Sequence, residues 1–301
     1  MVLNFHRIDI FYIYMVFPSP FRSSLVMQHL LSRRVISLKG EGVHKLLQGL
    51  VTQDMDLLRK QDAVASLFLN SKGRIMTEAI IVKRDDQHLF LDLPAVHSEM
   101  IADHLTRHKL RLPIAIEKAD SLGVTVQSDS TLVSYKDPRS PVLPERGIAE
   151  VQLRDSSEEP VEYRQNRFKA GIVEGHDIPP DSIPIFYNFD FTNSIAFSKG
   201  CYSGQELVTR TIRRGVVRKR LVAFESVNGA PFPTAGLVLL DGEKEIGSIF
   251  VSEGSVGMGV VSFESALNEK AQFCSSLASL VDSTFTVGTT SVRCLMPAYC
   301  S

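Results

Sequence analysis

Eight residues from Lys199 to Glu206, Lys-Gly-Cys-Tyr-Ser-Gly-Gln-Glu, combine the types from which a reactive thiol can be built. Ser203 and Glu206 have the S-x-x-E spacing of a capping box, which predicts a helix with Ser203 as its N-cap. Cys201 then stands two residues ahead of the cap. There the partial positive charge of a helix end, with Lys199 beside it, favours thiolate over thiol. Gly200 and Gly204 let the backbone turn tightly or approach a ligand closely. The competing reading is an ordinary strand-to-helix turn around a buried, inert cysteine. No His lies within five residues of Cys201, so nothing local supports a Cys–His nucleophile pair.

The same segment opens a basic run. From Lys199 to Arg220 there are seven basic residues (Lys199, Arg210, Arg213, Arg214, Arg218, Lys219 and Arg220) against one acid, Glu206. Such a face attracts anions, whether a carboxylate tail, an RNA backbone or an acidic protein, or it is simply a solvated helix end. No aromatic residues interleave with its arginines, which argues against single-stranded nucleic acid. Just upstream, Asp190 and Asn193 offer a carboxylate and an amide to a cleft, or serve a turn. His104 and His108 have the i, i+4 spacing of two metal ligands on a helix. No nearby carboxylate or cysteine pattern completes a site, so they read as solvated surface histidines and no metal site is assigned.

The elements that must position these residues follow from pattern. A length of 301 residues, at about 150 per domain, allows two domains. The formal net charge of −1 and hydrophobic fraction of 44% describe a globular chain and exclude a globally cationic nucleic-acid binder. The four cysteines, Cys201, Cys274, Cys294 and Cys300, form no C-x-x-C pair. That excludes a disulfide scaffold or a zinc ribbon and points to a reducing compartment. No apolar run reaches the ~18 residues of a spanning helix. Residues 1–34 are Arg- and Ser-bearing and acid-poor, the composition of a mitochondrial targeting segment. A secretory or anchor segment and an unstructured extension are its rivals.

From Val35 the pattern is mixed. Val43, Leu46, Leu47 and Leu50 predict an amphipathic helix over Glu41–Leu50. Ala63–Leu69 and Ile75–Val82 predict strands around the turn Asn70–Gly73, and Leu89–Leu93 a third strand. Val96, Met100, Ile101 and Leu105 predict the next helix, Leu112–Ile116 and Val124–Val126 further strands. Residues 128–160, rich in Ser, Asp, Pro and Glu, read as an excursion over the surface. A helix follows over about Val161–Ala170. Beyond Arg220, short β-like runs at Leu221–Phe224, Leu237–Leu240, Ile246–Val251, Met258–Phe263 and Phe285–Leu295 predict a small barrel. The expected organisation is a 1–34 targeting segment, a 35–215 α+β module of mainly antiparallel sheets with helices, and a 216–301 β-barrel.

With these residues in hand, the chain resembles the aminomethyltransferase-like folate-binding family, in its YgfZ-type branch. That branch includes the mitochondrial iron–sulfur cluster assembly factors and a bacterial tRNA-modifying protein. The Lys199–Glu206 signature carries the resemblance. Leu38–Asp54, Phe68–Ile75, Arg107–Pro113, Asp137-Pro138-Arg139, Gly171–Pro179 and Asn188–Phe197 extend it over residues 35–224. It implies a ring-like α+β module closed by the barrel, with tetrahydrofolate as cofactor. Asp190, Asn193, Lys199, Gly200, Tyr202, Gly204 and Gln205 would face the folate, and Arg210, Arg213 and Arg214 its anionic tail. It also implies late maturation of [4Fe–4S] enzymes such as aconitase and radical-SAM proteins in the mitochondrial matrix. A-type scaffold proteins and those client enzymes would be the partners, with no stable nucleic-acid partner. Cys201 would be the functional thiol, handling sulfur or a transient iron–sulfur cluster. A folate-dependent one-carbon transferase and a tRNA-modification factor are the alternatives. Against the transferase, its motif lacks the cysteine, and its catalytic-acid stretch is here Asp92–Glu99, leaving only Glu99 as a stand-in.

Overall fold

The computed structural model describes residues 28–126, 131–151, 160–233 and 237–300. Its first elements are strands β1 (Gln28–His29) and β2 (Arg33–Lys39), followed by helix α1 (Val43–Leu50). The hairpin of β3 (Ala63–Leu69) and β4 (Ile75–Asp85), then β5 (His88–Pro94), α2 (Ser98–His108) and β6 (Ala115–Lys118), completes one unit. These strands form a five-stranded antiparallel sheet in the order β3-β4-β5-β2-β6. β7 (Leu122–Val126), β8 (Val133–Tyr135) and β9 (Arg146–Glu150) join β1 in a second sheet, ordered β1-β7-β9-β8.

The period of two along each strand decides what lies between these layers. β5 sends Leu89, Leu91 and Leu93 into the core shared with Val43, Leu46, Leu47 and Leu50 of α1 and Ile101 and Leu105 of α2. Its alternate residue Phe90 joins Val35, Ile80, Val82, Val124 and Ile148 in the core between the two sheets. Fully burying one such Leu or Phe contributes ~1.5–3 kcal/mol. The four apolar positions that predict α1 are the four it buries.

Two stretches of this half are placed differently from what their composition suggests. Residues 28–34 take part in the fold: β1 pairs with β7, and Arg33 at the start of β2 is 1% exposed. Only residues 1–27 of the expected targeting segment lie outside the described residues. Residues 128–160 are not wholly a surface excursion, because β8 and β9 lie in the stretch and Asp137, Arg139 and Arg146 are buried. Among its described residues, these three contribute charge to the interior.

α3 (Val161–Lys169) and α4 (Gln205–Arg213) lead into a closed barrel of β10 (Lys219–Ser226), β11 (Val238–Asp241), β12 (Lys244–Glu253), β13 (Val256–Ser262), β14 (Thr284–Val287) and β15 (Thr290–Leu295). Around the barrel they run β10-β13-β12-β11-β14-β15. The single run expected at Phe285–Leu295 is two strands of a hairpin. A helix the pattern did not announce, α5 (Lys270–Ala278), packs Phe273 and Leu277 into the barrel core. Against the expectation of reduced thiols, Cys274 of α5 is bonded to Cys300, their Cα atoms 5.3 Å apart. The two are 26 residues apart in sequence, and only the fold brings them together.

Candidate functional site

The Cys201 turn is held from three sides. Lys199 reaches the C-terminal end of α1, where its Nζ donates to the carbonyls of Gln48, Val51 and Gln53, each at 2.8 Å. All three ammonium protons are thereby committed, to carbonyls that the helix end leaves without partners. Burial lowers the Lys199 pKa to about 8. The Ser203 amide donates to Gly49 O at 3.1 Å, and upstream the Ala196 amide donates to Thr52 O at 3.0 Å. Tyr202 is buried in the core beside Val208, its hydroxyl pushed up to about 12 by burial. On the third side Gly204, at φ +78°, meets the β3–β4 turn, where an added Cβ would lie 2.6 Å from Asn70 O. Gly73 across the contact has φ +75° and would place a Cβ 2.7 Å from Gly204 O. The two glycines let hairpin and helix start touch backbone to backbone.

This geometry revises the expected cap. α4 begins at Gln205 with Gly204 as N-cap and no side-chain cap bond, so Ser203 and Glu206 form no capping box. Glu206 instead pairs with Arg210 one turn along. Lys199, bonded to three carbonyls, is a staple of the turn. Cys201 itself is a free, exposed cysteine, and Gly200 beside it has open space around its Cα. The buried, inert cysteine is therefore Cys294, in the barrel, where burial raises the thiol to about 11.

The basic run separates into different fates. Arg220 is buried, its guanidinium 2.7 Å and 3.0 Å from the two carboxylate oxygens of Asp190 and also donating to Ile185 O and Leu267 O. Asp190 is thus a strut between the module and the barrel, its carboxylate engaged by Arg220. Asn193 is exposed at φ +53°; its carbonyl accepts from Gln53 Nε2 at 2.5 Å. With Lys199 and Arg220 withdrawn and Arg210 held by Glu206, Arg213, Arg214, Arg218 and Lys219 remain exposed without ion pairs among the described residues. Arg210, Arg213 and Arg214 line an open groove of about 760 Å³, together with Gln205, Gly204 and the hairpin residue Ser71.

The histidine reading changes as well. His104 is buried, its ring 4.1 Å from that of His108 and edge-on to Phe68. Burial, with His108 and Arg107 nearby, lowers it to about 4. Among the described residues no group of three or more His, Cys, Asp or Glu is placed to hold a metal ion.

The largest feature the sequence reading missed is a charge network between the sheets. Arg33 Nε lies 2.5 Å from Asp92 Oδ1, and Arg146 Nη1 lies 2.7 Å from Asp92 Oδ2. Arg146 and Arg139 meet Glu174 Oε1 at 2.6 and 2.9 Å, and Arg139 meets Asp137 at 2.7 Å. Arg167 meets Asp177 at 2.5 Å, and Arg33 also pairs with Glu78. Burial would raise Glu174, but Arg33, Arg146, Arg167 and Arg139 together hold it well below the usual range. Glu78, with Arg33 as its main counterweight, is raised by burial to about 7. The available signal was register: Arg33, Glu78, Asp92 and Arg146 each stand two residues from an inward apolar neighbour, Val35, Ile80, Phe90 and Ile148.

Residues 218–299 match the family described as CAF17, C-terminal beta-barrel domain. Over 214 residues, 64% of this chain and 55% of the relative, the sequence is 32% identical to the mitochondrial iron–sulfur cluster assembly factor IBA57 homolog of Pyricularia oryzae. It is 27% identical to the human mitochondrial iron–sulfur cluster assembly factor IBA57 over 272 residues, 76% of this chain and 75% of that one. Matches to the fungal relatives span little more than half of their length, 55% and 52% in two cases. The fold is similar to that of the glycine cleavage system aminomethyltransferase T from Bartonella henselae, with a TM-score of 0.63 at 15% identity, covering 91% of this chain and 85% of that one.

Proposed function

Because the chain belongs to the IBA57/CAF17 family, on an aminomethyltransferase-like fold, we propose that it is a mitochondrial iron–sulfur cluster assembly factor whose working group is the Cys201 thiol. The observation that carries this reading is an exposed thiol on a turn pinned from three sides, by Lys199, by the Ser203 amide and by Gly204. One free sulfur cannot hold a cluster alone, so the remaining ligands would come from a second protein. A-type scaffold proteins are the proposed partners. The proposed step is late, in the matrix, and serves [4Fe–4S] enzymes such as aconitase and radical-SAM proteins. The proposed domain division keeps a barrel from residue 216, while the targeting segment shortens to residues 1–27.

Folate fits this chain only in part. Of the residues expected to face it, Asp190 is closed off by Arg220, Lys199 by three carbonyls, and Tyr202 is buried in the core. Arg210, Arg213 and Arg214 suit the carboxylates of a folate tail. The transferase alternative is weakened in the same way, since Glu99 is 71% exposed and paired with Lys118. The deciding measurement compares aconitase with a ferredoxin-type [2Fe–2S] protein in cells depleted of this chain. The proposal requires aconitase activity to fall while the [2Fe–2S] protein is spared. Equal loss of both, or of neither, defeats it.

A further inference from the structure

We propose that the open face of α4 is a docking site for an acidic segment of a partner protein, with Arg213 and Arg214 as its carboxylate receptors. The inference deepens the assembly-factor reading and rests on it for the partner's role, though its binding chemistry stands by itself.

α4 is nine residues long; it buries Val208 and half-buries Leu207 and Ile212 against the chain, and its other face presents Glu206, Arg210 and Arg213 to solvent. The groove of about 760 Å³ beside it lies within the ordinary size range of ligand pockets, ~300–1,000 Å³. Its cations are arginines, whose planar fork matches a carboxylate with two parallel hydrogen bonds. Arg213 and Arg214 are exposed and, among the described residues, have no ion pair to give up on binding. Lys72 at the hairpin tip and Arg218 and Lys219 beyond the helix, all exposed, extend the positive field without closing the groove.

Three observations select an acidic peptide over a phosphate polyanion. The groove also presents the neutral side chains of Ser71, Gln205 and Thr209, which can hydrogen-bond the amides between acidic residues. Its rim carries Glu206, 84% exposed, which repels a closely spaced row of phosphates more than scattered carboxylates. The one aromatic residue lining it, Tyr202, is buried in the core and offers little platform for a base. Val216, 61% exposed and two residues past Arg214, adds an apolar contact of the kind that accompanies arginine at protein interfaces.

The test uses the full chain and a fluorescein-labelled peptide of alternating Glu and Ala, read by anisotropy at several salt concentrations. The expected result is saturable binding that weakens as salt rises, and that falls at least ~10-fold in the Arg213→Glu/Arg214→Glu double variant. Reversing the exposed Arg107 and Arg111 near α2 removes the same charge elsewhere and should leave binding unchanged. Circular dichroism of both double variants guards against misfolding as the cause. Absence of saturable binding overturns the proposal, as does binding that survives reversal at Arg213 and Arg214. Equal or tighter Arg213/Arg214-dependent binding of oligouridylate, or displacement of the peptide by folate pentaglutamate at lower concentration, overturns it in favour of those ligands. Aconitase rescue in depleted cells separates this inference from the reading it deepens. If the parent chain rescues and the charge-reversed chain rescues equally, the docking site is wrong while the assembly role stands. If the parent chain binds the peptide through these arginines yet does not rescue, the site stands and the assembly role falls.

Discussion

Two arginine-rich regions of this molecule have opposite physics. Between the sheets, Arg33, Arg139, Arg146 and Arg167 face Glu78, Asp92, Asp137, Glu174 and Asp177, all nearly free of solvent. On α4, Arg213 and Arg214 stand in water, and even the Glu206–Arg210 pair is more than half exposed. A buried guanidinium must be paired because desolvating it alone costs several kcal/mol. An exposed one is worth little to the fold and is free to bind something else. Charge that stabilises by pairing and charge available for recognition are therefore segregated in this chain. The basic run itself crosses the divide, since Lys199 and Arg220 belong to the first kind.

The comparison breaks most visibly at Arg146. Arg146→Leu would leave Asp92 and Glu174 each short of a counter-charge in the interior. Removing one partner of a buried pair costs ~3–5 kcal/mol, so urea unfolding should show a loss of that size. A loss below ~1 kcal/mol would mean that water reaches the network and that the contrast with α4 is one of degree.

Lys199 sharpens the point inside the basic run. Lys199→Met keeps most of the stem but leaves the carbonyls of Gln48, Val51 and Gln53 without their donor. Unsatisfied buried acceptors cost ~1–3 kcal/mol, whereas Arg214→Ala on the open face should stay within ~0.5 kcal/mol. Chemical denaturation of the two variants side by side checks the difference.

Sequence order carried much of the fold and little of this division. The helix at Val43–Leu50 and the hairpin at Asn70–Gly73 were legible because their signals are local: apolar spacing in one and turn residues in the other. The pairing of Arg33 is invisible to local composition because its partner Asp92 lies 59 residues away, and Asp137 and Arg139 lie in a stretch whose composition suggests surface. Local pattern reports how much charge a segment has, whereas its pairing depends on which strands the sheets bring together. At the candidate site, spacing found the cysteine and both glycines. The cap went wrong because the close contact between Gly204 and Gly73 sets the helix start, a tertiary constraint that S-x-x-E spacing cannot express.

Proton occupancy gives a subtler test of the buried region. Burial raises the Glu78 carboxyl from 4.5 to about 7, so the folded protein retains a proton that the unfolded chain releases. Stability from this group is fully present below 4.5 and is lost as pH rises through about 7. The proton also suits the balance of the network, in which five carboxylates face four guanidiniums among the described residues. Glu78→Gln should therefore flatten the fall in urea midpoint between about pH 5 and about pH 8. An unchanged profile would assign the slope to other groups. The exposed face should add no comparable slope, because its arginines stay charged throughout that range.

The smallest stability effect is expected at Cys201, where the functional effect should be largest. Cys201→Ser preserves size and turn geometry at an exposed position, and the contacts that hold the turn belong to Lys199, Ser203 and Gly204 rather than to the sulfur. Its unfolding free energy should stay within ~0.5 kcal/mol of the parent. If the thiol handles clusters, aconitase maturation should nevertheless fail in depleted cells that express the variant, because a hydroxyl neither ligates iron as a thiolate does nor exchanges sulfur. Iodoacetamide labelling of the parent should modify Cys201 ahead of Cys294, whose thiol is buried and raised to about 11. A stable Ser variant that fully rescues aconitase would remove the thiol from the mechanism. The carefully held turn would then serve only to present its neighbours on α4, and the open arginine face would become the whole of the functional surface.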